Sequence, residues 1–138
     1  MENKAVIRQL FDRVLNKGDL NVLHELVSDD YIDHSLPANA SPGPEGVITK
    51  VKALHKAFPD IRFILEDLVA EGVIVAARYH WNGTQTGTFL NIAPTGKMVD
   101  ITGMDFYRIE EGKIIEHWHN IDELSLLHQL GVTDNTKA

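Results

Sequence analysis

Gly103-Met104-Asp105-Phe106-Tyr107-Arg108-Ile109-Glu110-Glu111-Gly112-Lys113-Ile114-Ile115-Glu116-His117-Trp118-His119-Asn120-Ile121-Asp122 decides the fold class. Two runs rich in β-branched and aromatic residues, Met98–Ile109 and Lys113–His119, flank Glu110-Glu111-Gly112. That spacing predicts a β-hairpin. After Asp122 the period lengthens. Leu124, Leu127 and Leu130 fall on one helical face, and Gly131 follows as a helix-ending residue.

Working back from this hairpin, Ile61–Glu71 and Val73–Asn82 read as two further strands joined at Gly72. Gly83–Lys97 is a longer connection, of which Thr84–Phe89 can extend the strand before it. Ahead of the strands the period is helical. Ile7, Leu10, Phe11 and Val14 form the stripe of an amphipathic helix. Asp19 is placed to cap a short second helix carrying Leu23, Leu26 and Val27. Tyr31–Ser35 reads as extended, and Leu36–Pro44, with three prolines, as a loop. Pro44 suits the first turn of a third helix bearing Val47, Val51, Leu54 and Phe58. Helices followed by a meandering antiparallel sheet define an α+β domain. The expected architecture is one domain over residues 1–138, with 132–138 a flexible tail. Its curved sheet packs against the N-terminal helices as a cone and encloses a pocket.

Composition narrows the function. Acidic residues outnumber basic ones, the formal net charge is −7, and Lys and Arg do not cluster. Nucleic acid and anionic membrane surfaces both need a basic face, so neither is the expected partner. No apolar run approaches the ~18–20 residues of a membrane span, and the first residues lack the apolar core of a signal peptide. A cytoplasmic location is the default reading. Cysteine is absent, which removes disulfides and thiolate chemistry. There is no nucleophile elbow, phosphate loop or dinucleotide fingerprint. Acid/base chemistry is the class that remains.

Parity sorts the candidate site residues, because alternate strand residues face opposite sides. Arg78, His80 and Asn82 share one face of their strand. That face is either a polar pocket wall or a solvent-facing row. Glu116 and Trp118 share a face with Ile114 and Asn120. Their mixture of acid and aromatic fits a ligand-binding surface, and Glu116 is also able to pair with Arg78. Trp118 can equally be core filling. Asp105 shares parity with Gly103 and Tyr107 and is a candidate for the inner face. Asp122, where strand gives way to helix, is either an N-cap or a general acid/base at the pocket mouth. Asp33-His34 borders the proline-rich loop, where His34 can serve as an acid/base or as a loop anchor. His117 and His119 form an H-x-H pair, for which His34, His80 or Asp105 is a conceivable third metal ligand. No motif fixes that ligand, so the reading adopted is no metal.

Several short motifs occur together: Gly83-Thr84-Gln85-Thr86-Gly87, Ala93-Pro94-Thr95-Gly96-Lys97, Gly112-Lys113-Ile114 with Glu116-His117-Trp118, then Asp122 and Gln129-Leu130-Gly131. This combination resembles the SnoaL-like polyketide cyclase family, within the superfamily of nuclear transport factor two. The resemblance implies the cone-shaped α+β fold. It also implies an intramolecular aldol-type ring closure on a hydrophobic carbonyl compound, without metal, cofactor or covalent intermediate. Asp122 matches the family's general acid/base, and Arg78 and Trp118 match cavity positions. Gln85 stands where the family often has a histidine, so that position can hydrogen-bond but not titrate. A homodimer through the outer sheet face is implied as well. The expected site is therefore Asp122 and His34 for catalysis, with Arg78, His80, Gln85, Asp105, Glu116 and Trp118 holding the ligand. A non-catalytic ligand-binding protein and an epoxide-hydrolase-type enzyme using Arg78 with Asp122 or Asp105 are the alternatives.

Overall fold

In a computed structural model, which describes residues 2–37, 39–40 and 42–132, the elements follow the expected order. Helix α1 (Asn3–Gln9) runs on as a π-helical segment, Leu10–Asn16. A 3₁₀ turn (Leu20–Val22) leads into the short α2 (Leu23–Leu26). Asp19 caps that turn by accepting a bond from the Asn21 N–H. Strand β1 (Val27–Asp33), helix α3 (Pro44–Ala57), strands β2 (Arg62–Glu71), β3 (Ile74–Thr84), β4 (Met98–Glu110) and β5 (Lys113–Ile121), and helix α4 (Glu123–Gln129) complete the fold. Pro44 opens α3 as its spacing requires. Gly131, at φ +81°, closes α4 in the left-handed region that favours glycine. The expected tail from 133 onward lies outside the described residues.

The sheet order is β1-β5-β4-β3-β2. β2 to β5 form the expected antiparallel meander, but β1 pairs with β5 in parallel. The sheet is therefore mixed, with its two edges, β1 and β2, left open. The hydrophobic period could not reveal this, because a short extended segment between two helices carries no sign of its pairing direction. One face of the sheet is covered by the helices. Phe11, on the π-helical segment, packs edge-on against Tyr79 and Phe63. Val6, Ile7, Val14, Val51 and Leu126 join them in a single core. No helix among the described residues is long and apolar enough to cross a membrane.

One irregularity positions the site. Arg108 pairs with Glu116 and Ile109 with Ile114, so Ile115 is an extra residue, a β-bulge in β5. Strict alternation would put Ile114 on the face of Glu116 and Trp118. The bulge breaks it. Ile114 faces the core, His117 and His119 face the same side, and Glu116 and Trp118 turn outward.

Candidate functional site

A cavity of about 500 Å³ lies between the inner sheet face and the helices. Its walls are largely apolar, from Leu10, Phe11, Val47, Leu54, Phe63 and Trp81 among others. Its polar wall comes from Asp33 on β1, Lys50 on α3, Asp105 on β4, and His117 and His119 on β5. Tyr31, Tyr79 and Tyr107 add their hydroxyls to that wall, and Ser35, Asn120 and Glu123 border it as well.

Asp105 is the centre of the polar network. Its carboxylate accepts from His117 Nε2 at 2.7 Å and from the Tyr79 and Tyr107 hydroxyls at 3.0 and 3.3 Å. His119 Nδ1 lies 3.0 and 3.1 Å from its two oxygens. Burial by itself would raise the Asp105 pKa. The hydrogen bonds from His117 and His119 outweigh burial and hold it well below the ordinary carboxylate range. Burial pushes His117 the other way, favouring neutral imidazole. A neutral His117 donates Nε2–H to Asp105 and accepts at Nδ1 from the Tyr31 hydroxyl, 3.1 Å away. Burial, followed by the adjacent Asp105 charge, raises the Tyr79 pKa, so its hydroxyl stays protonated.

Behind His117, Asp33 accepts from Lys50 Nζ at 2.8 Å and from the Ser35 N–H at 2.8 Å. Burial raises Asp33, but the Lys50 and Ser35 hydrogen bonds outweigh it and bring its pKa to about 2. Asp33 and Asp105 thus bring two ionised carboxylates to the cavity, beside one ammonium and a chain of oriented donors.

His119 differs from its neighbours. It lines the cavity, and its side chain keeps 26% exposure. Nδ1 faces Asp105, which leaves Nε2 with no hydrogen-bond partner among the described residues. With Nδ1 protonated toward the carboxylate, Nε2 presents a lone pair. Such a histidine can take a proton while the carboxylate stabilises the resulting imidazolium. The same cluster also offers a metal three ligand atoms, one each from Asp105, His117 and His119, within 4.8 Å of one another.

The expected site residues divide between the two faces. Asp105 lies in the cavity wall. Arg78, His80, Glu116 and Trp118 do not; they stand on the outer face of the sheet. Arg78 pairs with Asp67 at 2.6 Å, and His80 sits between Glu66 and Asp100 at 3.1 and 2.8 Å. Glu116 bonds Arg108 and His34, and these two partners hold its pKa down. His34 stacks on Trp118 at 5.0 Å on this outer side, away from the cavity floor. Helix packing decides which parity is inner, and polar composition alone pointed to the wrong one. Gln85 is fully buried, but as a loop organiser: it bonds the carbonyls of Gly87 and Ile92 and accepts from Thr95. Asp122 caps α4, accepting from the Ser125 N–H at 3.1 Å, and does not line the cavity.

Tyr31, Tyr79, Tyr107, Asp33 and Lys50 were absent from the expected site. The signal for two of them was available: Tyr107 shares the parity of Asp105, and Tyr79 that of Trp81 on a strand whose inner face is apolar and aromatic. Asp33 and Lys50 meet only through tertiary packing.

A cavity walled by a sheet and helices, with one polar side, defines an α+β domain of the pocket-bearing kind. Comparison with known proteins makes the assignment specific. Residues 5–130 match the family model for SnoaL-like polyketide cyclase, and the chain belongs to that family. Its fold is similar to that of TsrD from Streptomyces laurentii, at 29% identity and a TM-score of 0.86, covering 96% of this chain and 100% of that one. IdmH from Streptomyces antibioticus, described as a candidate polyketide cyclase, shares 31% identity over 96% of this chain and 100% of its own, with a TM-score of 0.81. AclR from Streptomyces galilaeus, described as a candidate hydroxylase, shares 26% identity over 96% and 87% of the two chains, with a TM-score of 0.80. No significant match was found among curated protein sequences.

Proposed function

We propose that this chain is an acid/base enzyme of the aldol-cyclase or isomerase type, acting without a metal on a small hydrophobic carbonyl compound held in the cavity. The observation that carries the reading is the Asp105–His119 couple in the cavity wall, with His119 Nε2 unpartnered among the described residues. His119 takes a proton from the carbon next to the carbonyl, and Asp105 stabilises the imidazolium. The base is thus His119 and not Asp122, whose carboxylate is engaged as a helix cap. Apolar walls fit the ligand class. A metal-free reading is favoured because both Asp105 oxygens already accept hydrogen bonds.

The test is hydrogen–deuterium exchange at the methyl group of 2-acetylnaphthalene in D2O, followed by proton NMR. The protein should accelerate exchange over buffer, and His119→Ala should lose about 100-fold or more of that rate. Asp122→Ser, which retains a capping side chain, should exchange at the parent rate, and a chelator should change nothing. Exchange at the buffer rate, or full activity in His119→Ala, rejects the reading in favour of a non-catalytic binder. Epoxide hydrolysis loses support, since Arg78 is on the far side of the sheet from the cavity.

The same reading includes a homodimer. Met104, Phe106 and Ile32 are exposed on the outer face beside Trp118. The charged groups around them are paired within the chain, so a second identical face can approach without net repulsion.

A further inference from the structure

Trp81 lines the cavity and is only 3% exposed. Its indole N–H has no acceptor among the described residues. Yet among those residues no fully covered side-chain nitrogen or oxygen lacks a partner. The indole nitrogen is therefore one of the few Trp81 atoms that still reach open space, and the space Trp81 borders is the cavity. The ring cannot easily swing to find another acceptor. Phe58 meets it edge-on at 5.1 Å, and Phe63 lies at 6.1 Å.

Several other donors in the cavity wall are committed. Tyr31 bonds His117, Tyr79 and Tyr107 bond Asp105, and Lys50 bonds Asp33 and Ser35. An indole N–H only donates, so what it takes is an acceptor atom. Asp33 and Asp105, both held ionised, disfavour an anion in the same cavity.

We propose that the Trp81 indole N–H holds the neutral carbonyl oxygen of the ligand and makes Trp81 a specificity-determining residue. Tyr79 lies two residues back on the same strand face, about 7 Å along β3. Its hydroxyl is 3.4 Å from His119 Nδ1. Donor and base thus border the same chamber, one on β3 and one on β5. Binding of the oxygen does not depend on catalysis. If the acid/base reading holds, the α-carbon proton passes to His119 Nε2 and the electron pair moves onto the carbonyl oxygen. Trp81 then meets the growing charge, as a preorganised donor should.

The chain has two tryptophans, Trp81 inside and Trp118 outside, so the indole region of a ¹H–¹⁵N spectrum should hold two peaks, assigned with Trp118→Phe. Titration with 2-acetylnaphthalene should move the Trp81 peak downfield and leave the Trp118 peak in place. The hydrocarbon 2-ethylnaphthalene, of the same shape but with no acceptor, should not produce that downfield shift. Trp81→Phe should weaken the ketone about 3- to 10-fold, the span of one ordinary hydrogen bond, and leave the hydrocarbon within about twofold. Equal shifts with both probes, no shift with the ketone at its solubility limit, or unchanged ketone affinity in Trp81→Phe overturns the proposal. If that variant does not fold, the spectra of the parent protein decide. A Trp81 shift without hydrogen exchange removes the acid/base reading and leaves this one standing.

Discussion

Asp33 shows how one buried charge ties the cavity to stability. Its folded pKa of about 2 lies below the ordinary value of 3.8. It therefore contributes stability that is fully present above about pH 4 and is lost as pH falls through 2. The shift corresponds to about 2 kcal/mol. His117 has the opposite chemistry and the same sign of slope. Its folded pKa is depressed by burial, so the unfolded chain takes up the proton first as pH falls below about 6.5, and stability declines from there. Chemical denaturation across pH should show both limbs. Lys50→Met should cost about 3 kcal/mol, the low end for breaking a buried pair, because the Lys50 ammonium keeps partial access to water. It should also move the acid limb upward in pH. An unchanged acid limb would mean that Lys50 does not hold Asp33 in its ionised form. Of these groups, Asp105 was legible in the sequence by its parity with Tyr107. The Asp33–Lys50 pair was not, because 17 residues and a loop separate partners that only the docking of α3 on β1 brings together.

At the level of elements, the β3–β4 pairing depends on Gly103. A Cβ added there would stand 2.5 Å from the Tyr79 ring and hydroxyl. Tyr79 crosses β4 at this point to reach Asp105. Its ring has no room to retreat, packed as it is between Phe11 and Phe63. Gly103→Ala should destabilise by about 1–3 kcal/mol, as overpacking does, and should release the Tyr79 hydroxyl from Asp105. Thermal unfolding gives the first effect. A lower Tyr79 ionisation pH, read by ultraviolet titration, gives the second. Wild-type values for both would show that the strand yields instead. Strand existence and extent were plain from the β-branched and aromatic runs, and β3 and β4 begin and end within two residues of expectation. The bulge at Ile115 was not plain. Nothing in Lys113-Ile114-Ile115-Glu116 marks an extra residue, since two isoleucines are equally good on either face. The choice of the polar face decides where Arg78, His80, Glu116 and Trp118 stand, on the outer side of the sheet.

For the whole molecule, helices before sheet and an inner face with a polar side were both readable from the order of periods. The direction of β1 and the choice of inner face were not, because both follow from packing across the sheet. The proposed dimer belongs to this scale. The 62% exposure of Met104 and 53% of Phe106 leave apolar area that a second copy would cover. Phe106→Glu should convert a dimer to a monomer in light scattering without altering the helical content seen by circular dichroism. A parent protein that is already monomeric rejects the interface.

The extra residue in β5 has a consequence for how this family can change. Ile115 is the one residue of the strand with no partner on β4. Removing that one codon, with the hairpin turn held fixed, would leave Ile114 and Glu116 as successive residues opposite Ile109 and Arg108. Trp118 and Glu116 would still look out, and the two histidines would still look into the chamber. The bulge thus lets the hairpin lose a residue while the reactive lining stays in place, which shields the chemistry from such a change.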